Sequence, residues 1–353
     1  MYTKKKFSFL DMILWTRLEI LVFFVMALVA AFLFEVAGLR WLQLPWTPIA
    51  LVGTAVAFLI SFQNNAAYER TWEARKIWGA IVNESRSLTM MLSDMVTNEH
   101  AAQPVADEEL EEHKRTLVYR HIAWVTALRH ALRENRQWEV YREHATNMEW
   151  YEKMHIPERD HPIEYDLKPL LSETELARVL EKTNTAGAVL ALQSRHLRSL
   201  KERGLVWEFS FLELEGVLRE LFTLQGKSER IKNFPYPRQY ATLSFDIVAV
   251  FLVLLPFGVI PEFSKIGQEL SQSFPIVGTY FVWLSVPLIV IVSWVFHTMQ
   301  RIGTVGENPF EGSANDVPIS TLARKIEIDL REMMDEAPEK IPEQLTPVHG
   351  VQM

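Results

Sequence analysis

The 353-residue chain contains no cysteine, which removes disulfides, thiol catalysis and cysteine-based zinc sites together. It has no basic tract, and its formal net charge is -8, so no nucleic-acid partner is expected. The usual catalytic spacings are missing too: there is no HExxH, no GxxxxGK followed by Ser or Thr, and no GxSxG. His100, His113, His121, His130 and His144 are scattered through one long polar region, where a packed or solvated imidazole is the ordinary case. Neither a metal nor a cofactor is expected. No internal repeat is visible.

What is present is unevenly distributed. Hydrophobic residues make up 49% of the chain and charged ones 23%, and the two are segregated into blocks. That pattern reads as a membrane part plus a water-exposed part. A helix needs about 20 apolar residues to cross the hydrocarbon core. Phe274 to Phe296 has no charge inside it, and Trp46 to Phe62 is nearly as clear, with Pro45 and Pro48 where a helix N-terminus tolerates proline. Ile20 to Phe34 and Ile247 to Ile260 are shorter, and the second holds Pro256 and Gly258. A buried soluble helix is the alternative for those two. Each pairs with a clear span across a short connection, so four spans are expected. Met1 to Phe7 carries three lysines, and the apolar block after it reads as an uncleaved first span.

Orientation follows the flanking Lys and Arg residues. The arm has Lys4, Lys5, Lys6 and Arg17, whereas the connection from Gly38 to Pro45 has only Arg40 and that from Pro261 to Ser273 only Lys265. The segment from Ala67 to Tyr240 carries 25 of the 36 basic residues. Both termini and the central segment are therefore expected in the cytosol, beneath a cell (inner) membrane crossed several times.

The second span does not stop at the bilayer. Gln63 to Val96 continues without proline, and Trp72, Ile77, Trp78, Ile81, Val82, Leu88 and Leu92 recur at helical spacing. One helix from Trp46 to Val96 is predicted. Glu109 to Glu134 reads as an amphipathic helix with Leu117, His121, Val125, Leu128 and Leu132 on one face. Asn135 to Pro169 reads as loop or short helix, and Ser172 to Arg203 and Phe209 to Gly226 as helix. Ala337 to Met353, with three prolines, reads as a disordered tail. The fold class is all-α. Its parts are residues 1–66 (arm and first two spans), 67–240 (helical bundle), 241–298 (last two spans), 299–336 (a segment packing on the bundle) and the tail 337–353.

The stretch TAVAFLISFQNNAAYERTWEAR, Thr54 to Arg75, carries most information. Thr54, Phe58 and Phe62 are four apart and share one face. Gly53, Ala55, Ala57, Ala66 and Ala67 are small enough for helices to approach closely. A ring of such helices would make a dry constriction that hinders hydrated ions. On spacing alone, rings facing lipid are the better reading.

FQNNAAYERTWEARKIWGAIVNESRSL, Phe62 to Leu88, resembles the bestrophin family, in its bacterial pattern of an Asn-Asn turn before a Tyr, an Arg and a Glu-Ala-Arg. Asn64, Asn65, Tyr68, Arg70, Glu73 and Arg75 occupy those places. GKSERIKNFPYPRQY, with Glu229 and Arg230, is similar to the family's segment before the third span. ENPFEGSANDVPI, with Asn308, Pro309, Phe310, Asn315 and Asp316, resembles the segment after the fourth. The resemblance implies a homopentamer with an axial pore, the second span lining a hydrophobic neck. It puts Phe62 innermost, Phe58 above it and Thr54 outermost, where relatives usually have an aliphatic residue. Counting back from Arg219 places Leu212 at a second constriction low in the cytosolic part. Gln63 stands where bacterial relatives usually have arginine, which implies loss of a positive ring beneath the neck. Only Glu311 and Asp316 remain where animal relatives bind calcium, too few oxygens for that ion, so calcium gating is not expected.

The function implied is passive conduction of chloride or other monovalent anions, with membrane lipid and the permeant ions as partners. A sodium-type cation channel of the same fold is one alternative. A non-conducting scaffold is another, as is an enzyme acting on lipid through Asp246 or Glu35, which sit near the interfaces where charge is cheap.

Overall fold

A computed structural model of residues 1–353 is helical throughout. A short helix α1 (Phe9–Trp15) leads into α2 (Arg17–Glu35), and α3 (Trp46–Met95) follows a single 3-10 turn. Asp107–Arg133 forms α4, and the polar stretch after it holds three short helices: α5 (Ala145–Lys153), α6 (Pro157–Asp160) and α7 (Ile163–Leu167). Then come α8 (Glu173–Leu180), α9 (Thr185–Glu202), α10 (Glu208–Asn233), α11 (Arg238–Ser271), α12 (Pro275–Tyr280), α13 (Ser285–Gly306) and α14 (Ile319–Met333). Four helical stretches are long and apolar enough to cross a membrane.

The 50-residue α3 joins the two halves of the molecule. Its first part packs with α2, α11 and α13 in a cluster of 17 buried apolar residues, among them Ile49, Val56, Phe251 and Ile289. Close approach sets this packing. A Cβ on Gly258 would lie 2.6 Å from Ile49 Cδ1, and one on Gly53 2.9 Å from the Phe251 ring. Its second part is buried in a cluster of 40 apolar residues with α4, α9, α10 and α14. Trp78 and Trp124 are fully buried there, and the Trp124 indole donates to Gln225 Oε1 at 2.9 Å. His121 is buried against Ser85 Oγ at 2.8 Å. Because Ser85 Oγ donates to the Ile81 carbonyl, it must accept from His121, which fixes the Nε2–H tautomer. Burial lowers this imidazole's pKa to about 3, so it packs as a neutral group.

Four details differ from the sequence expectation. The third span does not end at Ile260: α11 runs through Pro256 and Pro261 to Ser271, since apolar neighbours hold a proline-containing helix together. The fourth is not one uniform helix, because a 3-10 turn at Phe281–Leu284 separates α12 from α13. Ser172 to Arg203 is two helices, α9 being restarted by the Asn184 side chain capping Gly187 N at 2.7 Å. The tail 337–353 is docked, not disordered. Met353 O accepts from Thr321 N at 2.6 Å, Thr3 N donates to Gly350 O at 2.8 Å, and Val351 and Met353 are buried against Met154 and Ile156. Backbone pairing with the amino-terminal arm adds to these side-chain anchors. Both termini and the bundle thus lie at one end of the four spans.

Candidate pore face and the junction beneath it

Helix periodicity gives α3 two unlike sides within the membrane part. Gly53, Val56, Ile60, Gln63 and Ala67 are buried against the protomer's other helices. Thr54 is exposed, with its hydroxyl turned back to the Ala50 carbonyl at 3.0 Å, and Phe58 and Phe62 are 63% and 68% exposed. These three residues form one uncovered face, and Leu51 extends it. Further down the same face come Asn65, Tyr68 and Trp72, the last two stacked with centroids 6.4 Å apart. Leu212 is also uncovered, on the outer side of α10 beside Phe209.

Gln63 corrects one inference. One residue beyond Phe62 turns it by about 100° around a helix of 3.6 residues per turn, so it points into the protomer and is 2% exposed. Its amide donates to Glu307 Oε1 at 2.9 Å and Thr304 Oγ1 at 3.2 Å. Ser244 Oγ donates to its carbonyl oxygen at 2.9 Å. The side chain at this position ties α3 to α11 and α13 and contributes no ring of its own to the uncovered face.

The other motif positions gather where spans meet bundle. Asn64 donates to the Met299 carbonyl at 3.1 Å. The Arg70 guanidinium donates to the carbonyls of Glu307, Ile231 and Phe234 at 2.8, 3.0 and 2.9 Å, satisfying orphan acceptors at two helix ends. Arg230 reaches Glu73 at 2.5 Å, and Glu229 accepts from Gln225 at 2.7 Å. Arg75 and Asn315 are exposed. Phe310 is buried in the bundle core, and Pro309 O accepts from Val317 N at 3.1 Å. Asp316 closes this loop by accepting from Gly312 N at 2.6 Å and from Ser313 Oγ. Glu311 accepts from Tyr141 N at 2.9 Å; burial, with Glu139 and Asp316 nearby, raises its pKa to about 8.

Arg301 was not singled out in the sequence. It is 1% exposed, bonds Glu19 at 2.7 Å, Thr146 at 2.6 Å and Asn147 at 2.8 Å, and lies over the Trp15 ring. Its signal was a lone charge ending a long apolar run, which must be paired when buried. Asp246 lies near the bundle end of α11 and Glu35 at the far end of α2, at opposite ends of the spans.

Four spans, one of them continuing into a helical bundle, with an uncovered aromatic face, define a multi-pass membrane protein. The Bacterial/Fungal Bestrophin family model matches residues 10–332, and the chain belongs to that family. The voltage-dependent anion channel-forming protein YneE of Escherichia coli K12 is 25% identical over 91% of this chain and 90% of its own length. Voltage-dependent anion channel-forming protein RSc3414 of Ralstonia nicotianae is 26% identical over 83% of this chain and 79% of its own. A solved bacterial bestrophin homologue from Klebsiella pneumoniae shares the fold, with a TM-score of 0.71 at 22% identity over 90% of this chain and 98% of that one. Both curated relatives are named as channel-forming proteins.

Proposed function

We propose that the chain is one subunit of a homopentameric channel that passes chloride and other monovalent anions across the cell membrane. Both termini and the bundle lie in the cytosol, as the Lys and Arg distribution favours. The observation that carries this reading is the uncovered face of Thr54, Phe58 and Phe62 on a helix packed on its other side. Five copies turned inward stack two aromatic rings beneath a threonine ring. Water there loses hydrogen bonds that apolar walls cannot replace, so an ion must shed or drag its shell to pass. Leu212 supplies a second apolar ring lower down. The neck itself is neutral, so the preference for anions resides in charges at its mouths, and the names of the curated relatives support that preference.

Reconstitution in liposomes tests this directly. With a chloride gradient and no permeant cation, the reading predicts flux that depends on protein. Flux that follows sodium or potassium instead would make the same pore a cation channel. A stable monomer or dimer in a mass measurement of the detergent-solubilised complex would remove the axial pore altogether.

A further inference from the structure

Conduction leaves one built feature unexplained. A cavity of about 330 Å³ opens between the amino-terminal arm, α1, α5 and the end of α13, within the size range of ligand pockets. Phe7, Met12, Trp15, Trp150, Ile302 and Val305 form most of its wall, and no charged residue lines it. The Trp15 N–H is spent on Asn147 Oδ1 at 2.6 Å, so that ring offers the cavity only carbon. Tyr2, Tyr141 and Asn315 are the polar members of an otherwise apolar wall.

Its surroundings identify an occupant. On α1, which lies just before the first span, Phe9, Leu10 and Leu14 are exposed, and Leu18, Leu21 and Val22 of α2 continue that apolar surface into the membrane part. Apolar helix surface at this depth sits among acyl chains. Lys4, Lys5 and Lys6, all exposed, precede α1 directly, and basic residues beside a first span attract anionic headgroups. We infer that this cavity seats one acyl chain of an anionic phospholipid whose headgroup is held by the lysines of the arm. Hydrocarbon suits a wall that is mostly apolar, and the exposed lysines of the arm select the lipid class.

Native mass spectrometry of the full-length complex tests this, with phosphatidylglycerol and phosphatidylcholine titrated separately. The wild type should retain phosphatidylglycerol on each subunit in preference to phosphatidylcholine. Met12→Trp, which fills the cavity, should weaken phosphatidylglycerol binding about tenfold with the oligomer's mass unchanged. The double variant Lys5→Gln/Lys6→Gln touches no packed surface, and should bind both lipids alike. Full retention of phosphatidylglycerol by Met12→Trp would overturn the inference. So would an unaltered lipid preference in the lysine variant. If Met12→Trp changes the oligomer's mass instead, a second copy of the chain covers the cavity and the lipid does not.

Discussion

The two halves of α3 share one uncovered face but present different chemistry along it. Above Asn64 that face is Leu51, Thr54, Phe58 and Phe62; below it come Asn65, Tyr68, Glu69, Trp72, Arg75 and Lys76. The buried faces differ as well, the upper lying in a cluster of 17 residues and the lower in one of 40. In the bilayer, helices gain little from hiding apolar surface, because lipid is as apolar as leucine, so small residues and close approach set the packing. In the bundle, water drives burial and large side chains fill the interior. One continuous helix therefore passes from a lipid-type interface to a water-type one at Asn64 and Arg70, which is where the family's motif residues concentrate.

If that contrast is sound, the bundle should be the more sensitive half to loss of volume. Trp124→Ala removes a fully buried ring and leaves Gln225 Oε1 without its donor. The cost should be about 3–5 kcal/mol, seen as a large drop in melting temperature and loss of assembled complex in detergent. An equal loss from Phe58→Ala would break the distinction between the two halves.

The junction comes next. Arg70→Lys keeps the charge but cannot span three carbonyls on two helix ends. Losing these charge-assisted bonds should cost about 1.5–3 kcal/mol, read as a lower melting temperature with the oligomer intact. A wild-type melt would mean that Arg70 is not what couples spans to bundle.

A smaller effect concerns Glu311. Its folded pKa, about 8, lies above the ordinary carboxyl value of 4.5, so the folded state holds this proton more tightly than the unfolded one. Stability from this group is therefore greatest below pH 4.5 and falls as pH rises towards 8. Glu139, Asp316, Asn308 and the Tyr141 amide face it. Glu311→Gln should flatten the fall in melting temperature between pH 6 and pH 8.5. Parallel curves for the two proteins would show that Glu311 is ionised in the fold.

Much of this architecture is legible in the sequence. Length and hydropathy mark all four spans, and helical spacing from Trp72 to Leu92 shows that the second runs on into the bundle. The extension of α11 past Pro261 was hidden because proline reads as a stop, and only packing in the membrane part overrides it. Docking of the tail was hidden because its partners, from Met154, Ile156 and Thr321 to the amino-terminal arm, lie far from it in the chain. The direction of Gln63 follows from helix geometry once Phe62 is placed outward, but its partners Glu307, Thr304 and Ser244 come from distant segments that no local pattern joins. Arg301 had a local signal in its isolation, although nothing in the sequence reveals Thr146 and Asn147 as its acceptors.

The central claim is that Phe58 and Phe62 face a pore axis, and the double variant Phe58→Ala/Phe62→Ala measures it. Removing both rings should widen and wet the neck. Chloride flux per complex in liposomes should then rise by about tenfold or more, equivalent to about 1.4 kcal/mol off the barrier, while the mass of the assembly stays the same. If the rings face lipid, their loss opens no path. An intact double variant that conducts no better than the parent would contradict the account.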